Sequence, residues 1–224
     1  MKFSITEENY LKAIYHLQLE NDTVATNAVA HHLHTRAASV TDMMKKLSAK
    51  KLLHYKPYYG FYLTTKGKQI AINIIRRHRL WELFLAQKLG FKWDEVHVLA
   101  EELEHVSSNE LIDRLDKFLL FPQFDPHGDP IPDQKGRIKH GNKILLNDVA
   151  PDLPVRVVRV SNQSTEMLDL LHHKNINIGT LLQLKKRLPF DRSMELKSTS
   201  SKTITISEQV AKNIFVTYEK DGKL

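Results

Sequence analysis

No single hydrophobic period runs through this chain, which excludes a uniformly helical or uniformly β architecture. Apolar residues recur at helical spacing as far as Leu119, whereas Val155-Arg156-Val157-Val158-Arg159-Val160 alternates as a strand does. Between them, residues 121–133 hold four prolines, which bar regular helix or strand there. The reading is a mainly α fold in three parts. These are a reader at residues 1–67, a helical domain at 68–140 and, beyond a tether at 133–150, a small C-terminal β-rich SH3-like domain at 151–218.

The first part has the order of a winged helix-turn-helix. Ser4-Ile5-Thr6-Glu7 is a capping box, and Tyr10, Ala13, Ile14 and Leu17 follow at helical spacing. A short helix is expected from about Thr26, as N-cap, to Leu33. His34-Thr35-Arg36 reads as a turn, and a third helix is expected over about residues 37–50. Residues 53–63 are rich in aromatic β-formers on both sides of a Pro/Gly turn, so they predict a hairpin. A hairpin directly after a recognition helix is a wing. Further helices are expected over about residues 68–89, 94–106 and 109–119. In the last part, 181–184, 194–196 and 203–206 are strand candidates, and 166–172 a short helix.

Charge separates these parts. Residues 1–68 carry a balance of +5, 69–140 of −2 and 141–224 of +4. A basic head suits a polyanion and an acidic middle suits a cation. Cysteine is absent, so disulfides and thiolate metal sites are excluded. No apolar run approaches a membrane span, and Met1-Lys2-Phe3-Ser4 lacks a signal-peptide core. A cytoplasmic protein with no membrane partner is expected.

On an ideal helix with Ser39 at zero, Ala38, Asp42, Lys45 and Lys46 fall between about 240° and 360°. Val40, Met44 and Leu47 lie opposite. The exposed stripe is short, polar and partly basic, as a major-groove reader requires. Arg36 can reach a phosphate or a guanine edge, and Lys56, Tyr58 and Tyr59 on the wing can touch the flanking backbone. Thr26, Ser39 and Thr41 complete the expected contact set. The competing reading is an amphipathic helix with solvated lysines; the wing and the basic surroundings favour DNA. Asp42 would repel phosphates unless it reads a cytosine amino group.

The middle part carries a ligand face. With His97 at zero, Glu101, Glu104 and His105 fall within an arc of about 100°. The preceding helix offers His78 and Glu82, four residues apart and on one face. Imidazole and carboxylate on adjacent helices supply the four to six ligands of a divalent cation. The competing reading is a solvated face with intrahelical pairs. No HExxH, Ser/His/Asp arrangement or phosphate-binding glycine loop is present.

The chain resembles the diphtheria toxin repressor family of iron- and manganese-dependent regulators. The resemblance is carried by Thr6-Glu7-Glu8-Asn9-Tyr10-Leu11-Lys12-Ala13-Ile14-Tyr15, Ala38-Ser39-Val40-Thr41, Leu63-Thr64-Thr65-Lys66-Gly67, Arg77-His78-Arg79-Leu80, Glu104-His105-Val106 and Gly128-Asp129-Pro130-Ile131-Pro132. It spans about residues 4–132 and, more loosely, 151–218. It implies a homodimer formed through the helical domain, an operator that is an inverted repeat in double-stranded DNA, and two metal sites. The primary site falls on Glu101, Glu104 and His105 with Asn9. The ancillary site falls on His78, Glu82 and His97, with Glu166 and Gln163 as the expected C-terminal ligands. Asn9 stands where better-known members carry Met or Asp. Lys12 stands where some manganese regulators carry a ligand carboxylate, and Glu101 where iron-type members carry Cys. A hard oxygen at Glu101 favours Mn2+ or Fe2+, with Zn2+ or Co2+ as substitutes in vitro.

The expectation is therefore a regulator, not an enzyme, that binds DNA when metal is abundant and represses metal-uptake genes. The alternatives are a winged-helix protein without a metal response and a metal-dependent hydrolase. The hydrolase would need an open coordination position and a substrate cleft, and neither is legible.

Overall fold

The computed structural model describes residues 3–19, 21–56, 60–106, 108–139, 141–198 and 203–219. The chain divides into two compact units. The first comprises Met1–His78, Ala100–Arg114 and Pro132–Ile138, and the second Arg79–Leu99, Leu115–Ile131 and Lys139–Leu224.

Three helices open the first unit: α1 (Ile5–Leu17), α2 (Thr26–His32) and α3 (Ala37–Ala49). The capping box forms, with Ser4 Oγ accepting from the Glu7 N–H and the Glu7 side chain accepting from the Ser4 N–H. Thr26 is not the cap of α2. That place is taken by Ala25, which has no capping side chain, and Thr26 is the first helical residue. Val40, Met44 and Leu47 are fully buried against Leu11, Ile14 and Val29, as the helical wheel of α3 requires.

The wing pairs β1 (Leu53–Lys56) with β2 (Gly60–Leu63) in antiparallel register. Val24 adds a bridge to Phe61. That bridge explains Gly60, whose φ is +111° and where a Cβ would lie 2.3 Å from the Val24 carbonyl oxygen. Tyr58 and Tyr59 fall outside the described residues, as does the side chain of Lys56.

Helix α4 (Thr65–Leu89) begins three residues earlier than expected, because Thr64 caps it by accepting from the Gly67 N–H. Helices α5 (Val96–Val106) and α6 (Asn109–Phe118) follow. No helix among the described residues is long and apolar enough to cross a membrane.

The second unit is built on a six-stranded antiparallel sheet of order β3-β8-β4-β5-β6-β7. Its strands are β3 (Ile144–Leu145), β4 (Pro154–Val160), β5 (Leu181–Arg187), β6 (Met194–Ser198), β7 (Thr203–Ile206) and β8 (Ile214–Tyr218). Helix α7 (Thr165–His173) and the short α8 (Glu208–Ala211) cover its core. Strand β8 was not among the expected strands, although it is the central partner of both β3 and β4. The proline-rich stretch is ordered. Phe124 bridges to Pro130, and the Val160 N–H donates to the His127 carbonyl. Gly128, at φ +82°, lies so close to β4 that a Cβ would meet the Val158 carbonyl oxygen at 1.8 Å.

Candidate metal centres and DNA-reading face

In the first unit, α1, α4 and α5 bring charged groups together around Glu104. Its carboxylate is fully buried. Oε2 lies 2.6 Å from His78 Nδ1, and Oε1 accepts from Lys12 Nζ at 2.7 Å and lies 3.3 Å from His105 Nε2. Lys12 Nζ also reaches Glu101 Oε1 at 3.1 Å. Burial opposes ionisation of Glu104, but the imidazole of His78 and the ammonium of Lys12 outweigh it and hold the carboxyl below its usual range. His105 Nδ1 lies 2.5 Å from Glu8 Oε2, so a carboxylate orients the ring from behind, a common arrangement for a metal-ligating histidine.

Asn9 sits on α1 between Glu8 and Lys12, and its Oδ1 is buried without a hydrogen-bond partner. Leaving such an atom unpaired costs about 1–3 kcal/mol. A carboxamide oxygen, two carboxylates and an imidazole are by type hard donors suited to Mn2+ or Fe2+, and Glu104 Oε1 and His105 Nε2 lie 3.3 Å apart. The residues present fit a divalent cation.

A second constellation lies within the second unit. Glu82, Asp125 and His127 are all buried, and one ligand atom from each lies within 4.8 Å of the others. His127 Nε2 is 2.7 Å from the Trp93 carbonyl oxygen. A carbonyl only accepts, so Nε2 carries a proton and Nδ1 turns inward. Nδ1 then faces Glu82 Oε2 at 3.8 Å. Asp125 Oδ1 is used by the His127 and Asp129 N–H groups, while Oδ2 and His127 Nδ1 have no hydrogen-bond partner.

Arg79 Nε lies 3.6 Å from Asp125 Oδ2, so the cluster already holds one cation, and its remaining acceptors draw a proton or a further cation. The carboxyl of Asp125 is pushed up to about 7 by burial and by the charges of Glu82 and Asp129. The imidazole of His127 is raised too: burial opposes its charge, but Glu82 and Asp125 outweigh that. His97 joins from α5, with Nδ1 3.3 Å from Glu82 Oε1, and it is half-exposed. Gln163 donates to Asp129 Oδ2 at 2.7 Å, and Glu166 is exposed in the first turn of α7.

On the reader, Arg36 precedes α3 in extended conformation and is exposed, as are Ser39, Asp42 and Lys45. Lys45 lies 3.6 Å from Asp42 and offsets its charge. Thr41 Oγ1 donates to the Ala37 carbonyl. Lys46 is exposed on the stripe and also pairs with Glu7 Oε1 at 3.1 Å, the oxygen that takes Lys50 at 2.5 Å. Burial disfavours the Glu7 carboxylate, but the two lysines and the Ser4 N–H hold its pKa at about 2. A cleft of about 740 Å³ lies between α2, α3 and the wing, lined by Thr26, Thr41, Lys45 and Tyr55 among others.

Comparison with known proteins agrees with this geometry. Residues 2–61 match the iron-dependent repressor N-terminal DNA-binding domain. Residues 64–133 match the iron-dependent repressor metal-binding and dimerisation domain, and 144–218 the FeoA domain. The iron-dependent repressor IdeR of Mycobacterium tuberculosis H37Rv is 33% identical over 163 residues, covering 68% of this chain and 70% of that protein. IdeR of Mycobacterium leprae is 37% identical over 127 residues, 57% of this chain and 55% of that protein. A manganese-dependent transcriptional repressor solved with manganese superposes with a TM-score of 0.86 at 31% identity, over 95% of this chain and all of that one. This chain belongs to the iron-dependent repressor family.

As a member of that family, the chain carries two acidic clusters whose makeup was only partly legible. Glu8, Asp125 and His127 were missed. Glu8 was passed over in favour of its neighbour Asn9, and the spacing Glu8–Lys12 was the available signal. Asp125 and His127 lie in the proline-rich stretch, read as an ordered loop or a boundary because prolines forbid regular structure. The Asp-Pro-His-Gly-Asp run inside it was the overlooked signal.

Proposed function

We propose that this repressor binds its operator when Mn2+ or Fe2+ occupies a primary site made by Asn9, Glu101, Glu104 and His105. The observation that carries the reading is the buried Glu104 carboxylate, which ties α1 of the DNA reader to α4 and α5 through Lys12, His78 and His105. Bound there, a divalent cation supplies a rigid cross-link between oxygen and nitrogen donors. Asn9 then fixes α1, and with it the recognition helix α3, relative to α5. Glu8 orients His105. Cation occupancy thus shifts a population of reader positions toward the one that fits DNA.

Glu82, His97, Asp125 and His127 form the second cation site, with His78 one turn before Glu82 on α4. This reading keeps His78, Glu82 and His97 of the expected ancillary set and adds Asp125 and His127. Gln163 acts through Asp129, and Glu166 remains a candidate ligand.

Two copies associate through the stretch matched by the dimerisation model. Val98 and Val106 on α5 and Leu111 and Phe118 on α6 are among its exposed apolar residues. A twofold dimer presents two recognition helices one DNA turn apart, so the operator is an inverted repeat. Arg36, Ser39, Asp42 and Lys45 meet the groove. The protein works in the cytoplasm, and its output is repression of metal-uptake genes. The carboxylates serve as a switch and not as a hydrolytic centre. Selection of genomic DNA fragments by the wild-type protein, with Mn2+ and with chelator, tests this. Inverted repeats upstream of metal-uptake genes recovered only with metal are the expected result, and equal recovery in chelator contradicts it.

A further inference from the structure

The primary site already contains a cation of its own. Lys12 Nζ bridges Glu101 and Glu104 at 3.1 and 2.7 Å. This is no ordinary surface pair, because the Lys12 side chain is 15% exposed and that of Glu104 not at all. We propose that Lys12 is a tethered counter-cation that neutralises the two carboxylates in the metal-free repressor and so sets how much metal the primary site needs. The inference rests on the reading that Glu101 and Glu104 are metal ligands.

The argument is one of charge and burial. A buried carboxylate left without compensation is strongly destabilising, so the metal-free fold needs a positive group at Glu104. The other partners of Glu104 are His78 and His105, which are cationic only when protonated. Arg77 donates to the Glu104 backbone carbonyl at 3.4 Å and lies 4.0 Å from Glu8, so its charge faces elsewhere. Lys12 therefore places a permanent positive charge on these carboxylate oxygens.

A divalent cation accepted by the same oxygens meets that ammonium as a like charge and competes with it. Lysine suits the task, since its compact charge rides on a flexible four-carbon stem with rotatable donors and can withdraw. The consequence is a threshold. Metal-free protein neutralises these carboxylates with an internal ammonium, and metal must outcompete it.

The test is calorimetric titration of full-length, metal-free protein with Mn2+ alone, reading the binding step that Glu104→Gln removes. Lys12→Met keeps the stem and deletes the charge. Lys12→Gln also deletes the charge but retains a donor for Glu104, which covers failure of the first variant to fold. Both are expected to tighten that step by at least about tenfold, as loss of a contacting like charge requires. Both should also unfold at lower temperature than wild type in chelator, with the gap narrowing when Mn2+ is added. An unchanged or weaker step in the folded variants, or unchanged unfolding in chelator, overturns the inference. If wild type shows no step that Glu104→Gln removes, the metal-site reading itself fails. If that step is present and only the Lys12 variants leave it unmoved, the reading stands and the role of Lys12 falls.

Discussion

Glu7→Gln isolates one buried charge that joins the first helix to the recognition helix. In the wild type Glu7 is 2% exposed, accepts from the Ser4 N–H at 3.0 Å, and holds Lys50 at 2.5 Å and Lys46 at 3.1 Å. Glutamine keeps the capping contact but loses both ion pairs. Displacement of the carboxyl from 4.5 to about 2 corresponds to about 3 kcal/mol of stabilisation of the charged form. Lys46 and Lys50 remain partly solvated, and screening reduces this to about 1–2 kcal/mol. Hydrogen exchange in α1 and α3 should therefore quicken by about 5–30-fold at pH 7 in the variant. The folded-state pKa is depressed, so the contribution is present above the unfolded value of 4.5 and is lost as pH falls through about 2. In chemical unfolding followed by helical circular dichroism, the gap between wild type and variant should be constant above about pH 5 and close toward pH 2. A gap below about 0.5 kcal/mol at neutral pH, or one that does not close in acid, would refute the coupling.

Two further predictions concern the second cluster and the reader. Because Asp125 is raised to about 7 and His127 is raised as well, the metal-free fold holds more protons than the unfolded chain, so its stability falls as pH rises through this range. Metal-free protein should melt lower at pH 8 than at pH 6. Mn2+ should remove most of the difference, and Asp125→Asn should flatten it; a melting temperature that does not fall with pH in chelator contradicts the proposed cation pocket. Arg36→Ala should weaken operator binding and flatten its dependence on salt by about one released counterion, while Mn2+ binding stays unchanged. Wild-type affinity and slope in that variant would remove Arg36 from the contact set.

What the sequence disclosed follows its periodicities. The apolar stripe of α3 is a helical repeat and is buried where the spacing puts it, and Glu101, Glu104 and His105 on α5, also at helical spacing, join one cluster of ion pairs. Contacts between elements were not legible. Lys46 shares an arc with Ser39 and Asp42, but nothing local reveals that it also pairs with Glu7 on another helix. Thr26 looked like a cap because its residue type suits one, yet backbone geometry gives that place to Ala25. Strand β8 went unread although it alternates, because no turn signal of the expected kind sets it off from α8. Asp125 and His127 acquire their role only when Gly128 lets the proline-rich loop lie against β4. The pairing around Glu104 was half visible: Lys12 was recognisable as unfit to be a metal ligand, but not as the partner of Glu101 and Glu104.

The central claim is that metal at Glu104 and His105 switches DNA binding. Its most direct measurement is fluorescence anisotropy of a labelled operator across a Mn2+ titration, with wild type, Glu104→Gln and His105→Ala. Neither residue lies on the reading face, so neither substitution should act through DNA contacts. Wild type should bind only as metal is added, and the variants should show no activation at Mn2+ concentrations that saturate wild type. The response should weaken as pH falls, since the ligands must shed protons to hold metal. Equal operator binding by wild type in chelator, or variants that respond to Mn2+ as wild type does, would contradict the account.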